Sequence, residues 1–478
     1  NSTCIKIYIC DMSFKKITEQ DLLHFREVIG ADNVFTDAAS IDKYSKDETV
    51  DAEFAPEVVL KPISAEEISR ILSYCNAQNI PVSPRAAGTG LSANSLPVLG
   101  GVSLSIERMN RILEIDERNL QITTEPGVIT EALQNAVKEK GLFYPPDPSS
   151  RGTSFIGGNV ACNSGGPRAV KYGVVKDYVL NLEVVLPSGK ILWTGANVLK
   201  NSTGYNLTQL MVGSEGTLGI ITKIVLKLIP HPTMNAVMLV PFKSMEKASA
   251  AVSAIFRAGI VPSCLEFMER DAIEWVCDFL GDVTIPIDED TQAHLLIEVD
   301  GNNMDLIQKD CERIYEVVSE FDAGEILFAD SEAQKNDIWR MRRNVAYAVK
   351  KTAVTIEEDT VVPRADLPEL LKHIKQIGSK YGFKSVCYGH AGDGNVHVRI
   401  VKGELSDEAW KTEVQGKGVR EIFQKVHELG GTISGEHGIG WIQRPYMDIK
   451  FDEAHLDLMR GIKKVFDPNG ILNPEKIF

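Results

Sequence analysis

The sequence predicts an α+β protein in two parts, a mixed α/β part first and then a part built on an antiparallel sheet. Strand and helix patterns alternate in a βαβ-like order between residues 58 and 82. Three loops rich in glycine lie between residues 84 and 220. From Val237 onward, strands and helices alternate in an order that suits an antiparallel sheet covered by helices. A length of 478 residues leaves room for two or three such domains.

Composition excludes several classes of protein. The net charge of −15 argues against nucleic acid or an anionic membrane surface as the main partner. No apolar run reaches the ~20 residues of a membrane helix, so we expect a protein that is not integral to a membrane. The eight cysteines are scattered without a C-x-x-C pair, which argues against a bound iron–sulfur cluster and fits free thiols in a reducing compartment. We therefore expect a cytoplasmic protein, peripheral to a membrane at most, or a mitochondrial one in a eukaryote.

The first elements follow from local patterns. The segment Cys4 to Cys10 is apolar but too short for a signal peptide, and the start at Asn1 suggests a processed or cloned end. Residues 14–47 are predicted to be a helical leading segment. A short strand at 58–60 precedes a capping box, in which Ser64 and Glu67 satisfy each other's backbone N–H groups, and a helix follows to Cys75. Residues 80–82 return to a strand.

The first glycine-rich loop, residues 84–92, imitates a dinucleotide fingerprint. The residues after it, 94–97, are typical of a loop rather than of the helix that a Rossmann fold requires, so we reject a nicotinamide site. A strand ends near Thr124, a helix runs from Thr130 to Lys140, and the prolines of 145–150 forbid regular structure. Residues 156–167 and 212–220 are predicted as the second and third loops. Together the three loops favour a large flat or phosphorylated ligand lying against backbone.

The second part carries the residues with the clearest chemistry. His390 and His397 flank turn-forming residues, and the alternation after them predicts a strand that buries valines and presents His397 on the other face. Glu436 and His437 lie in a second glycine-rich segment. Two imidazoles and a carboxylate suffice for a divalent metal such as zinc, manganese or iron. His437 remains free as a general base. A final amphipathic helix is predicted over 452–466, with Leu456, Met459, Ile462 and Phe466 inward.

These motifs resemble a known family over nearly the whole chain. Residues from about Glu57 to Pro230 resemble the FAD-binding domain of the vanillyl-alcohol oxidase superfamily, through the motifs PRAAGTG, PPDPSS, GGNVACNSGGPRAVKYG and VGSEGTLGI. The remainder resembles the D-2-hydroxyacid dehydrogenase branch, which includes D-lactate dehydrogenases, the flavin subunit of glycolate oxidase and D-2-hydroxyglutarate dehydrogenases. Its motifs are IWRMRRNV, GHAGDGNVHV and SGEHGIG.

The resemblance implies a two-part FAD-binding domain of the p-cresol methylhydroxylase type and an α+β cap domain. We expect the FAD domain at 14–232, the cap with the metal site at 233–440, and a helical segment at 441–478 that packs back on the FAD domain. The residues expected to contact FAD are Arg85, Ala87, Gly88, Thr89, Gly90, Leu91, Ser92, Pro146, Asp147, Gly157, Gly158, Asn159, Asn163, Gly166, Gly216 and Ile220. No histidine lies between residues 25 and 230, so FAD is expected to bind non-covalently.

The resemblance also assigns roles at the substrate. His390, His397 and Glu436 match the metal ligands, His437 the base, Asn395 a position near the substrate, and Arg342 the arginine that pairs with the substrate carboxylate. Arg340 and Arg343 are interpreted as a solvated helix face. The enzymes that oxidise 2-hydroxyglutarate carry Thr and Lys where this chain has Ala346 and Glu357. That difference favours a small D-2-hydroxy acid with one carboxylate, D-lactate or glycolate.

The electrons must leave the flavin for an external acceptor, because the chain has no cluster motif. An electron-transfer flavoprotein and a separate iron–sulfur subunit are the first candidates, with a quinone or a cytochrome as others. The alternative functions are a D-2-hydroxyglutarate dehydrogenase, a flavin transferase like alkyl-glycerone-phosphate synthase, and a subunit that keeps FAD without catalysis.

Overall fold

A computed structural model describes residues 14–478 apart from residues 284 and 286. The expectations for Asn1 and for Cys4 to Cys10 therefore lie outside the described residues. Among the described residues, no helix combines the length and the apolar character needed to cross a membrane. The domain boundaries at residues 232 and 440 remain predictions.

The first half contains two sheets and a short strand pair. The parallel strands β2, β4 and β3 form a four-stranded sheet with β1, which joins β2 in an antiparallel pair. The second sheet is antiparallel in the order β5-β6-β10-β8-β9, and β7 pairs with β11. The strands are β1 (Val34–Phe35), β2 (Val58–Leu60), β3 (Val82–Arg85), β4 (Val102–Ser105), β5 (Ile112–Asp116), β6 (Gln121–Thr124), β7 (Leu142–Phe143), β8 (Val179–Val185), β9 (Ile191–Trp193), β10 (Ile220–Lys227) and β11 (Ile229–Pro230).

In the described part of this half, seven α-helices accompany these sheets, and the structure corrects three sequence predictions. The helices are α1 (Glu19–Ile29), α2 (Ala38–Tyr44), α3 (Ala65–Gln78), α4 (Thr130–Lys138), α5 (Ile156–Cys162), α6 (Ala169–Tyr172) and α7 (Leu207–Met211). The leading segment is two helices with β1 between them rather than one helical stretch. Only one half of the predicted capping box is formed. Ser64 accepts from the N–H of Glu67, but the carboxylate of Glu67 accepts from the N–H of Ile63 instead of that of Ser64. The second glycine-rich loop begins as α5.

The second half is one seven-stranded antiparallel sheet in the order β15-β12-β14-β13-β17-β18-β16. Helices α8, α10, α12 and α14 pack on one face, and α9 and α11 pack on the other. The strands are β12 (Met234–Phe242), β13 (Cys264–Glu269), β14 (Ala293–Gly301), β15 (Leu327–Phe328), β16 (Thr355–Val361), β17 (Lys384–Gly389) and β18 (Asn395–Val401). The helices are α8 (Met245–Arg257), α9 (Arg270–Leu280), α10 (Met304–Ser319), α11 (Glu332–Thr352), α12 (Leu367–Tyr381), α13 (Asp407–Ala409) and α14 (Val419–Glu428), the last two joined by a π-helix at Trp410–Gly418.

The chain ends back on the first half. After α15 (Met447–Lys450) and α16 (Glu453–Phe466), Leu472 bridges β3 at Val82, and Ile471 and Leu472 join the core beneath α3. Of the four residues expected to face inward from α16, Leu456 is buried. Met459, Ile462 and Phe466 are half-buried, because this helix lies over the second sheet rather than within a core.

Candidate functional site

One long cavity of about 470 Å³ runs from the glycine-rich loops to the face of the seven-stranded sheet. Most residues expected to bind FAD line it, namely Arg85, Ala87, Gly88, Thr89, Gly90, Leu91, Gly157, Gly158, Asn159, Gly216 and Ile220. Ser92, Pro146, Asp147, Asn163 and Gly166 lie outside the lining. The cavity therefore joins the three loops, as their composition indicated.

Unpaired backbone N–H groups make this cavity suitable for a pyrophosphate. The N–H groups of residues 87–91 and of Gly158 have no acceptor among the described residues. Gly216 has φ +67° and approaches Pro84 so closely that a Cβ would lie 2.5 Å from the ring. Successive N–H groups that converge without a partner form an anion-binding concavity. These residues fit the phosphates of a dinucleotide such as FAD.

Residues that the sequence analysis missed complete the lining. Ser149, Ser150, Thr153 and Ser154 follow the proline segment, and Ser214 and Glu215 precede Gly216. The sequence signal that could have identified the first four of these residues is the run of serine and threonine just after the prolines. Asp147, which was expected at the cofactor, is buried and forms ion pairs with Arg168 at 3.4 Å and Arg151 at 3.7 Å. It supports the loop from behind the cavity.

Three side chains at the sheet end of the cavity can hold a metal. His390 Nε2 lies 3.3 Å from Glu436 Oε1, and His397 Nε2 lies 3.5 Å from the same oxygen. The turn between the two histidines passes through Gly394 at φ +79°, where a Cβ would strike the carbonyl of Val362. Burial opposes the charge of Glu436, but His390 and His397 outweigh it and hold its pKa well below the usual range. The donor set and its convergence fit a divalent cation.

Glu266 on β13 connects the metal group with Arg342. Its carboxylate lies 2.8 Å from His390 Nδ1 and 2.5 Å from a terminal nitrogen of Arg342. Burial opposes the charge on Glu266, but Arg342 and His390 outweigh it and lower its pKa. A carboxylate on the outer nitrogen of a ligating histidine fixes the tautomer and the ring orientation. The sequence analysis did not identify Glu266, which lies far away along the chain in an apolar strand.

Asp359 on β16 holds the loop that carries Glu436 and His437. Its Oδ2 accepts the N–H groups of Gly435, Glu436 and His437 at 2.8–2.9 Å. Asn395 donates its side-chain amide to the other oxygen of Asp359 at 2.7 Å. Asn395 therefore lies behind the cavity lining, where it orients Asp359. This carboxylate was also missed, because its partners lie some seventy-five residues later.

His437 faces the cavity beside His397, with the two rings stacked at 5.1 Å. Burial lowers the pKa of His437, but the carboxylates of Asp359, Glu357 and Glu436 outweigh burial and raise it. A proton on His437 is thus favoured as long as these carboxylates carry uncompensated charge. Its place next to a metal ligand is the one expected for a group that exchanges a proton with a bound hydroxyl.

The arginines of α11 occupy three different surroundings. Arg342 is buried, lines the cavity and stacks over the ring of Tyr388. Arg340 is exposed and pairs with Asp282 at 2.8 Å, as expected for a solvated face. Arg343 was expected on that face, but it lines the cavity, and burial lowers its pKa. The long cavity reaches under this helix, which the helical spacing alone did not indicate.

The chain matches known families over most of its length. The family described as FAD linked oxidases, C-terminal domain, matches residues 231–477, and the family described as FAD binding domain matches residues 56–195. The chain is 41% identical over 454 residues to glycolate oxidase subunit GlcD of Bacillus subtilis, which covers 95% of each chain. It is 37% identical over 471 residues to D-lactate dehydrogenase of Anaerostipes hadrus, which covers 98% of this chain and 99% of that one.

A D-2-hydroxyglutarate dehydrogenase of Stutzerimonas stutzeri is 33% identical over 450 residues, covering 93% and 96% of the two chains. Among solved structures, p-cresol methylhydroxylase with substrate bound superposes with a TM-score of 0.79 at 19% identity, over 97% of this chain and 98% of that one. Alkyldihydroxyacetonephosphate synthase superposes with a TM-score of 0.75 at 19% identity, over 97% and 87%. These structures confirm the predicted α+β fold class.

Proposed function

Since the chain belongs to the FAD-linked oxidases, as an FAD-dependent oxidoreductase of the 2-hydroxy acid dehydrogenase type, we propose that its substrate is a small D-2-hydroxy acid, D-lactate or glycolate. The observation that carries this proposal is the convergence of four side chains on one end of the cavity, namely His397, Glu436, His437 and Arg342. His390, which does not line the cavity, lies 3.3 Å from Glu436 and completes the group that could hold a metal. The product is the 2-oxo acid, and FAD binds without a covalent bond to the chain.

Each residue at this end has a separate task. Arg342 binds the substrate carboxylate, because a guanidinium pairs with a carboxylate through two parallel hydrogen bonds. His390, His397 and Glu436 would hold zinc, manganese or iron. Such a cation would polarise a bound hydroxyl, and FAD, when bound, would supply a hydride acceptor. His437 takes the hydroxyl proton in its neutral form, which is favoured once positive charge at the ligands offsets the carboxylates around it.

Two features support a substrate with one carboxylate. Ala346 lines the cavity one turn after Arg342 on α11 and offers no polar group there. Glu357 also lines the cavity, and its charge opposes a second carboxylate. D-Lactate and glycolate have the one carboxylate that Arg342 accommodates.

The electrons taken from the substrate would go to an external acceptor, an electron-transfer flavoprotein or an iron–sulfur subunit. The eight cysteines of the sequence are not spaced to bind an iron–sulfur cluster, because no two of them form a C-x-x-C pair. The chain would therefore need a separate protein to accept the electrons.

Anaerobic mixing tests the proposal directly. The purified flavoprotein is mixed separately with D-lactate, L-lactate, glycolate and D-2-hydroxyglutarate, and flavin absorbance is followed. We expect bleaching with D-lactate or glycolate, and much slower bleaching with the L-acid and with the diacid. Equal bleaching by D-2-hydroxyglutarate would contradict the size assignment. No bleaching with any acid would contradict the function itself and favour a transferase without net oxidation.

A further inference from the structure

One arginine in the wall of the long cavity has no carboxylate partner. Among the residues that the structure describes, the guanidinium of Arg343 on α11 forms neither an ion pair nor a hydrogen bond. It lies over the ring of Trp339, 5.1 Å from the ring centre, and an indole ring carries no counter-charge. Its neighbour Arg342 differs, because it pairs with Glu266 at 2.5 Å. Arg343 therefore brings an unpaired positive charge into the cavity lining.

The carboxylates near Arg343 are engaged by other arginines. Asp147 in the proline segment pairs with Arg168 at 3.4 Å and with Arg151 at 3.7 Å. Arg168 also pairs with Glu298 at 3.2 Å. Burial lowers the pKa of Arg343, and the charges of the two neighbouring arginines act in the same direction against that of Asp147. A guanidinium stays protonated all the same, so a further negative charge in the cavity would stabilise it.

Arg343 lies near the sheet end of the cavity, where the metal group is. Asp147, whose charge acts on Arg343, packs against the second glycine-rich loop, since a Cβ at Gly166 would lie 2.7 Å from its carbonyl oxygen. In the same loop, a Cβ at Gly165 would lie 3.0 Å from a carboxylate oxygen of Glu436. The wall around Arg343 therefore continues directly into the proposed metal group.

The two ends of the cavity indicate which part of FAD would face Arg343. The unpaired N–H groups of residues 87–91 suit the phosphates, and the proposed substrate groups lie at the other end. A flavin ring that takes a hydride from a substrate at that end would lie beside it, next to α11. This placement of the ring rests on the proposed function, whereas the presence of FAD follows from the family.

Reduction changes the charge of the cofactor. A hydride brings two electrons and one proton, so the flavin ring gains one negative charge unless a second proton follows. A cation interacts more strongly with that charge in a partly buried cavity than in water, because the effective dielectric constant is lower. A paired cation contributes little, since its counter-charge acts on the ring in the opposite direction. An unpaired cation favours the reduced form and so raises the midpoint potential.

We propose that Arg343 raises the midpoint potential of FAD, by placing an unpaired positive charge beside the ring that gains negative charge on reduction. Arg343 thus sets the driving force of the reaction, while Arg342 keeps its separate task at the substrate carboxylate. A higher potential makes oxidation of the hydroxy acid more favourable and transfer of the electrons to an external acceptor less favourable.

Arg343→Met offers the first test, because it removes the charge and keeps an apolar chain over Trp339. We expect the equilibrium between oxidised and reduced FAD to shift at least about tenfold toward the oxidised form. For a two-electron couple, that is a fall of about 30 mV in midpoint potential. Titration of the holoenzyme with dithionite beside a reference dye measures the potential. A wild-type potential in folded, flavin-bound Arg343→Met would overturn the proposal.

Further variants separate charge from packing. Arg343→Lys keeps the charge and should hold the potential above that of Arg343→Met, whereas equal potentials in these two variants would contradict a role for the charge. Arg343→Gln is a second neutral variant, which should lower the potential as Arg343→Met does. Arg340→Met is the matched control, since Arg340 is exposed on the same helix and pairs with Asp282. Its potential should equal that of the wild type.

Flavin binding separates an effect on the ring from a contact with the phosphates. By linkage, the potential falls only if Arg343→Met weakens the binding of reduced FAD more than that of oxidised FAD. Equal weakening of both forms, measured by release of FAD on dilution, would overturn the proposal. The titration uses no 2-hydroxy acid. A lower potential in Arg343→Met without bleaching by any acid would therefore contradict the proposed function and leave the effect of Arg343 in place.

Discussion

At the scale of single residues, Glu266 couples two functions in one buried carboxylate. It holds the outer nitrogen of His390 and a nitrogen of Arg342, and it is fully buried. The position of His390 is therefore tied to the position of Arg342.

Replacing His437 by alanine should slow flavin reduction by about 10²–10⁴-fold, the usual contribution of a positioned proton acceptor. The flavin should remain bound, because His437 lies at the sheet end of the cavity. The reduction rate in stopped flow checks this, and flavin absorbance checks binding. His427→Ala is the control, since His427 is exposed on α14. Reduction of His437→Ala at the wild-type rate would remove its role as base.

Replacing Arg342 by lysine should raise the half-saturating substrate concentration by about 10–100-fold, because an ammonium cannot form the two parallel hydrogen bonds of a guanidinium. Steady-state kinetics with an artificial electron acceptor measures the change. Arg340→Lys, at the exposed neighbour that pairs with Asp282, should change little. Unaltered kinetics in Arg342→Lys would place the substrate carboxylate elsewhere.

At the scale of elements, β16 supplies three consecutive acidic residues with different roles. Glu357 and Asp359 point to the cavity face, where they meet Arg399 and the loop before His437. Glu358 points to the opposite face and accepts the amide of Gln443 at 2.7 Å. The alternation of a strand thus places Glu357 and Asp359 on the cavity face and Glu358 on the opposite face.

Replacing Asp359 by asparagine should weaken the loop of residues 434–437. A neutral amide accepts hydrogen bonds less strongly than a carboxylate, and three backbone donors depend on this one oxygen. We expect a loss of about 2–4 kcal/mol in unfolding free energy and a lower metal content. Ser434→Ala removes one donor to the same oxygen and should cost about 1 kcal/mol. Denaturant unfolding gives both values, and equal stability of Asp359→Asn and wild type would contradict the role of Asp359.

Glu358 should make stability depend on pH. Burial, with help from Glu357 and Asp359, raises its pKa to about 8. The unfolded chain has a glutamate pKa of about 4.3, so the folded state binds the extra proton between the two values. The contribution to stability is complete below pH ~4.3 and is lost as pH rises to about 8. Glu358→Gln should therefore gain apparent Tm over wild type progressively from pH 5 to pH 8.5. A constant difference across that range would contradict the buried proton.

At the scale of the whole molecule, the site is shared between the two halves. Glu215, in the third glycine-rich loop, accepts the N–H groups of Ile439 and Gly440 at 2.8 Å. Asn94 donates to the same carboxylate at 2.6 Å, and the tail residue Asn473 donates to the carbonyl of Glu215. The loop with Glu436 and His437 is therefore fixed to the cofactor half. These contacts set the distance between the third glycine-rich loop and the group of His390, His397 and Glu436.

Removal of the metal should abolish substrate oxidation in the second half of the chain without releasing FAD from the first half. We expect a strong chelator to abolish flavin reduction by substrate while FAD stays bound. The expected flavin contacts lie on the glycine-rich loops, whereas the proposed metal ligands lie just after β17, on β18 and on the loop of Glu436. Metal analysis, flavin absorbance and activity are measured on one sample. Restoring a divalent cation should restore activity. A fully active preparation without metal would overturn the ligand assignment.

The sequence by itself determined the family, the fold class and eleven of the residues that line the long cavity. The comparisons confirm the family resemblance and the FAD expectation. Glycine-rich loops and the spacing of His390, His397 and Glu436 are local patterns, and local patterns can be read without a structure. The metal and the roles of Arg342, Asn395 and His437 stay predictions.

The tertiary structure alone decided which buried charges meet. Glu266, Asp359 and the Glu357–Arg399 pair carry no local signal, because each lies in an otherwise apolar or mixed strand far along the chain from its partners. The same holds for Arg343, whose helical spacing matched a solvated face until the cavity was known to pass beneath it. A buried charge is tolerated only where a partner from another element compensates it, and that pairing is set by the packing of the sheet.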